Sequence, residues 1–177
     1  IIIEDTLKPK ITGPENIILE ITDVSGIVVD VGQASALDEV DENPEISNDA
    51  PELFQLGNTV VTWTAIDSSD NTALYFQTIT IIDTTSPEVI APSNITQEAE
   101  NSLSNYVILE QPQTSDIIGI SSVENDAPEF FPLGETIVTW TATDSAGNSA
   151  SDTQLVTVVD TTAPSILQPE NIIVEAT

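Results

Sequence analysis

Oxygen is the only coordinating chemistry this chain offers in quantity. Asp144 and Asn148 stand at the two ends of Asp144-Ser145-Ala146-Gly147-Asn148, and the pattern recurs at Asp67, with Asp70 and Asn71. A second acidic set leads into threonine and proline: Asp5-Thr6…Pro9, Asp83-Thr84-Thr85…Pro87 and Asp160-Thr161-Thr162…Pro164. Glu20, Glu98 and Glu175 form a third set. Carboxylates, amide carbonyls, backbone carbonyls and water are the donor set of a hard cation. Calcium takes about six to eight such oxygens at roughly 2.3–2.6 Å, whereas magnesium demands a tighter octahedron and keeps more of its water. With no His, Cys or Arg, nucleophilic triads and imidazole acid–base chemistry are absent. Paired carboxylates are the groups that hydrolyse glycosides, but nothing singles out a protonated acid beside an ionised base. The expectation is a non-enzymatic chain that binds divalent cations.

These residues recur because the chain repeats. Asn48-Asp49-Ala50-Pro51-Glu52 returns as Asn125-Asp126-Ala127-Pro128-Glu129, and Leu56-Gly57…Thr62-Trp63-Thr64-Ala65-Ile66-Asp67 as Leu133-Gly134…Thr139-Trp140-Thr141-Ala142-Thr143-Asp144. The period of 77 to 78 residues divides the 177 residues into the end of one repeat (1–5), two complete repeats (6–83 and 84–160) and the start of another (161–177). Such a chain reads as an internal piece of an array, with its chemistry at the joints.

Thirty acidic residues face Lys8 and Lys10, for a formal net charge of −28. Nucleic acid is excluded as a partner, because displacing counterions from phosphates needs Lys and Arg. An anionic membrane surface is excluded on the same ground. The chain is not of disordered composition, since 40% of its residues are hydrophobic and they alternate in strand fashion. Disulfides are impossible without cysteine. Small repeats bury a modest share of their surface, which leaves metal at the joints as the available staple. Asp38, Glu39, Asp41 and Glu42 read as a solvated acidic face.

Strand signals dominate, with turn residues every eight to twelve positions, as sandwich folds require. Val138, Trp140 and Ala142 alternate with Ile137, Thr139, Thr141 and Thr143, and Val61, Trp63 and Ala65 repeat the pattern. The Val-Trp-Ala face is assigned to the core, with both tryptophans packed there rather than stacked on a ligand. Asp70 takes the place of Gly147 in the following turn, which requires it to adopt the left-handed conformation. The fold class is all-β: tandem β-sandwich domains in an elongated array.

In such a sandwich the hairpin between the last two strands lies at the pole where the chain enters. Asp144 and Asn148 are therefore expected near Asp83, and Asp67, Asp70 and Asn71 near Asp5. Together with Asp160 in the third copy, these are candidate calcium ligands at the domain junctions. Glu20, and Glu98 in the next repeat, extend the set if the first strand runs the length of the domain. Ordinary turn chemistry is the alternative, with Asp accepting backbone N–H bonds and Gly or Asn taking positive φ. Asn94-Ile95-Thr96 is a single N-glycosylation sequon.

The pattern resembles the hyalin-repeat family. The resemblance rests on Asp83-Thr84-Thr85-Ser86-Pro87, Pro92, Phe131-Pro132-Leu133-Gly134, Thr139-Trp140-Thr141-Ala142-Thr143-Asp144 and Gly147-Asn148. It implies immunoglobulin-like units in an extracellular adhesive or structural protein. The family's usual cysteine pair is missing, and Trp63 and Trp140 stand where tyrosine is commoner. The Ala142–Ser149 and Asp160–Pro164 segments are also similar to tandem immunoglobulin-like repeats of prokaryotic adhesins, many of which hold calcium at junctions. With the acidity, they are similar to archaeal surface-layer proteins too. The expected role is a calcium-stiffened segment of a surface layer, stalk or filament, whose partners are neighbouring copies or domains of one assembly. The alternative is an adhesin module that binds a glycan or protein through exposed loops, with Tyr75, Phe76, Tyr106, Phe130 and Phe131 as its patch.

Overall fold

A computed structural model describes residues 4–175. Residues 1–3, which the repeat places in a preceding domain, and residues 176 and 177 lie outside the described part. The chain is all-β: β1 (Lys10–Thr12), β2 (Ile17–Glu20), β3 (Ser35–Leu37), β4 (Glu45–Asn48), β5 (Gly57–Ile66), β6 (Thr72–Ile82), β7 (Glu88–Ile90), β8 (Ile95–Glu98), β9 (Gln113–Ser115), β10 (Ile120–Asn125), β11 (Gly134–Asp144) and β12 (Ser149–Val159). Two four-stranded sheets run in the orders β2-β6-β5-β4 and β10-β11-β12-β8, and two small ones pair β1 with β3 and β7 with β9. Each copy of the repeat thus contributes one large and one small sheet of an immunoglobulin-like sandwich. Residues 161–175 are exposed and carry no strand.

The long strands form because apolar and polar residues alternate with period two. Val61, Trp63 and Ala65 of β5 are at most 4% exposed, and Val138, Trp140 and Ala142 of β11 at most 1%. The expected core face is the observed one. A buried indole N–H must find an acceptor, and here the facing strand supplies it. Trp63 Nε1 donates to Gln77 Oε1 at 3.0 Å, and Trp140 Nε1 to Gln154 Oε1 at 3.2 Å. Both glutamines are themselves buried and return the bond to backbone, Gln77 to Glu15 and Val31, Gln154 to Ser93.

The first strand of each large sheet pairs in parallel with the last. Ile17–Glu20 lies in register with Ile79–Ile82, and Ile95–Glu98 with Val156–Val159. Glu20 therefore stands level with Ile82, one residue before Asp83.

Two compact units gather these elements. One comprises the described residues up to Glu88 together with Thr114–Val123 and Ala142–Ala150; the other comprises Val89–Gln113, Glu124–Thr141 and Ser151 onward. In the first, Ile21, Phe54, Val61, Trp63, Ile79 and Ile81 form the core, with Ile11, Val31, Ala34 and Ile118 packed against it. In the second, Val107, Phe131, Val138, Trp140, Val156 and Val158 are at most 6% exposed.

The hairpin turns fix backbone signs. Gly147 has φ +96° and Asp70, its counterpart, φ +64°. A Cβ added at Gly147 would meet nothing within 4 Å. The expected cost of Gly147→Ala is therefore that of the left-handed backbone alone, about 1–2 kcal/mol, measured as a lowered denaturant midpoint. An unchanged midpoint would mean the turn relaxes to another form.

Candidate metal centre

Three segments of the first unit bring carboxylates together. Asp83 follows the last residue of β6, Asp116 lies in the loop between β9 and β10, and Asp144 ends β11. One oxygen from each lies within 4.8 Å of the others. Two oxygens bound to one calcium stand at most about 5 Å apart, so the spacing fits a shared ion. Asp5, Asp38 and Asp67 form a second group of the same kind. Its members precede the first by 77 or 78 positions, so it is the same arrangement one repeat earlier.

The hairpin geometry explains how Asp144 is held. Its Oδ1 accepts the backbone N–H groups of Ala146, Gly147 and Asn148 at 2.6 to 2.8 Å. Asn148 Nδ2 donates both to Asp144 Oδ2, at 2.9 Å, and to the backbone oxygen of Asp83, at 3.1 Å. Asn71 does the same for Asp67 Oδ2, at 2.9 Å, and the Asp5 carbonyl, at 3.2 Å. The asparagine joins hairpin to linker, and it presents its nitrogen to both oxygens. Asp70 is exposed on the turn and serves it through its backbone.

Turn chemistry is thus real here, but it leaves two atoms unexplained. Asp83 is 8% exposed, and its Oδ1 accepts Thr85 N–H at 3.0 Å. Its Oδ2 is buried without a hydrogen-bond partner, and so is Asp5 Oδ2. A buried unpaired carboxylate oxygen is costly. The electrostatics agree. Burial pushes the Asp83 carboxyl up from its ordinary value, and the charges of Asp116, Asp144 and Glu20 push the same way against the Thr85 bond. At Asp144 burial pushes upward too, but the Asn148 side chain and the turn N–H groups outweigh it and hold the carboxyl below its usual range. Asp67 is held low in the same way, chiefly by Asn71 against the effect of burial.

The glutamates bind the linkers. Glu20 accepts Thr84 N–H at 2.6 Å and the hydroxyls of Thr84 and Thr85. Glu98 accepts Thr161 N–H at 2.7 Å and the hydroxyls of Thr161 and Thr162. The backbone N–H groups of Thr84 and Thr161 are the main reason both carboxyls lie below their usual range. Exposed Asp160 repeats the linker turn, accepting Thr162 N–H at 3.1 Å.

Asp116 and Asp38 were not among the expected ligands. The acidic run around Asp38 reads as a solvated face, yet Asp38 is half-buried and grouped with Asp5 and Asp67. Glu39 and Glu42 are exposed as expected, while half-buried Asp41 accepts Ser68 N–H at 2.8 Å. A signal was available, since Asp38 and Asp116 occupy one repeat position. Asn94 has a structural duty the sequon does not convey. Its Oδ1 accepts Leu155 N–H at 3.0 Å, as Asn16 Oδ1 accepts Thr78 N–H, and the residue is exposed. Of the aromatic patch, Phe131 is buried at 2% and Tyr75 is half-buried with its hydroxyl on the Pro14 carbonyl. Phe76, Tyr106 and Phe130 are exposed.

Residues 82–158 match the HYR domain family. The chain is similar to hyalin of Strongylocentrotus purpuratus, with 36% identity over 96% of this chain and 15% of that protein. It is similar to hyalin of Lytechinus variegatus at 34% identity, over 96% of this chain and 34% of that one. It thus spans about a third or less of the hyalins it matches. A solved structure, Drosophila N-cadherin EC1-4, superposes with a TM-score of 0.40 and 12% identity over 87% of this chain and 50% of that one. The hyalin relatives are eukaryotic and lend no support to a prokaryotic or archaeal origin. The chain is extracellular or cell-surface in kind.

Proposed function

We propose that this chain is a non-enzymatic structural segment of an extracellular protein, made of repeats 6–83 and 84–160 flanked by pieces of further repeats, and stiffened by calcium. The parent assembly is a surface layer, stalk or filament, and its partners are neighbouring copies or domains. The observation that carries the metal part is a buried Asp83 with an unpartnered Oδ2, one of whose carboxylate oxygens lies within 4.8 Å of oxygens of Asp116 and Asp144. Three carboxylates and the nearby Asp83 carbonyl are hard oxygen donors that suit calcium, and a net charge of −28 favours cation uptake. Nothing at the cluster resembles a soft-metal site.

The test is a thermal melt of the whole chain with calcium, with magnesium and with chelator. Calcium should raise the midpoint by about 5–10 °C at 100 times its dissociation constant, and magnesium by less. A midpoint indifferent to calcium and chelator, at low ionic strength, would remove the metal from this reading. The structural role would then rest on the hyalin similarity alone.

A further inference from the structure

We propose that the loop Asp116–Gly119 is a two-pronged clasp. Asp116 supplies the third carboxylate to a divalent cation shared with Asp83 and Asp144, and Ile118 seats in the adjacent apolar core, so that ion binding and apolar docking are one event. The inference rests on the cation reading above and adds to it the element that the ion moves.

Asp116 divides its carboxylate between two tasks. Its Oδ1 accepts Ile118 N–H at 2.8 Å, which turns the loop, and the group also reaches the cluster with Asp83 and Asp144. Ile118, two residues on, packs against the core that contains Ile21 and Phe54. That core lies beside the ion's proposed seat, because Ile21 N–H donates to the carbonyl of Ile82, the residue before Asp83. The far end of the loop is tied to the hairpin that carries Asp144: Ser145 N–H and its hydroxyl donate to the Gly119 carbonyl at 3.1 and 3.3 Å. The loop therefore touches the linker through a carboxylate, the core through an isoleucine and the hairpin through a carbonyl.

An acidic cluster alone would not carry this. The second observation is the Asp83 side chain, more than nine-tenths buried, which reaches into the cluster and keeps its Oδ2 without a hydrogen-bond partner. Without a cation, three carboxylates that close repel and push the loop outward. With one, the repulsion becomes attraction and Ile118 is pressed home. Reciprocity requires that burying Ile118 raise the affinity for the ion by the same factor. The first repeat shows the carboxylate prong without the apolar one seated: Asp38 Oδ1 accepts Val40 N–H at 2.9 Å, yet Val40 is 65% exposed.

The experiment is a calorimetric titration of the whole chain with calcium chloride, in parent, Asp83→Asn, Asp116→Asn, Ile118→Ser and Ile118→Val. Near-ultraviolet circular dichroism checks that each variant is folded. Asp116→Asn keeps the acceptor for Ile118 N–H and should weaken the junction site by at least about tenfold. Ile118→Ser keeps every carboxylate and should still weaken it by about fivefold or more, while Ile118→Val stays within about threefold of the parent. If Asp83→Asn abolishes binding at this site, leaving the Asp5 site, but Asp116→Asn and Ile118→Ser bind as the parent does, the clasp is wrong and the cation reading stands. If Asp116→Asn weakens binding and Ile118→Ser does not, the coupling is wrong. If the parent itself takes up no calcium, both proposals fall together.

Discussion

Asp83→Asn is expected to raise the melting temperature of the metal-free protein and to remove the increment that calcium adds through this site, leaving only what the Asp5 site contributes. The two effects have one cause. Asp83 is buried, its Oδ2 has no partner, and Asp116, Asp144 and Glu20 add like charge. An amide keeps the acceptor for Thr85 N–H and removes the ionised group that the site penalises. It also removes a carboxylate without which calcium has too little charge to hold. Parent and variant should therefore cross. The variant melts higher in chelator, by a few degrees at about 2–4 °C per kcal/mol for a chain of this size, and the parent melts higher in saturating calcium. A variant that melts lower in both conditions would show that the Asp83 charge stabilises the apo fold, contrary to this account.

The same carboxyl sets the sign of the acid response. Because Asp83 is raised in the folded state, its contribution to metal-free stability improves as pH falls through that raised value. Asp67 and Asp144 are lowered, so their stabilisation is complete above the unfolded aspartate value and is lost only as pH falls through the depressed ones. A metal-free parent should gain stability on mild acidification and lose it on stronger acidification. In Asp83→Asn the gain should disappear while the loss remains.

Trp140→Ala should be the most damaging single truncation. The side chain is 1% exposed within the second unit, and removing a large aromatic from a packed core costs about 3–5 kcal/mol. It also strands Gln154 Oε1, which accepts the indole N–H in a site 1% exposed, for a further cost of about 1–3 kcal/mol. Against a total of about 5–15 kcal/mol for a domain, that is a large share. Trp140→Phe keeps much of the packing and should lose chiefly the hydrogen bond. Denaturant melts followed by circular dichroism would measure both. A loss below about 1 kcal/mol for the alanine variant would place the indole outside the core and revive the ligand-stacking alternative.

The legible part of this molecule is what short-range pattern controls. Alternation around Trp63 and Trp140 fixes which face is inward, because a strand has no other way to bury those residues. The left-handed Asp70 follows from its place opposite Gly147 in a copied turn. The meeting of hairpin asparagine and linker, Asn148 on the Asp83 carbonyl, follows from where an immunoglobulin-like sandwich puts its last hairpin. Asp116 and Asp38 were hidden because they sit in loops between short strands, where acidic residues are ordinarily solvated. Their position is set by a turn at the carboxylate and by Ile118 finding the core. Which oxygen ends up unpaired is a property of three segments together, so no motif encodes it. Asn94 shows the converse: a sequon is visible in one repeat, whereas the clasp to the last strand is shared by Asn16 and Asn94 alike.

Anomalous diffraction from crystals grown with calcium bears most directly on the central claim. A peak at about 2.3–2.6 Å from Asp83 Oδ2, with oxygens of Asp116 and Asp144 completing its protein ligands, is the expected result. A map with no peak there, and Asp83 Oδ2 instead hydrogen-bonded to a neighbour or to water, would contradict it.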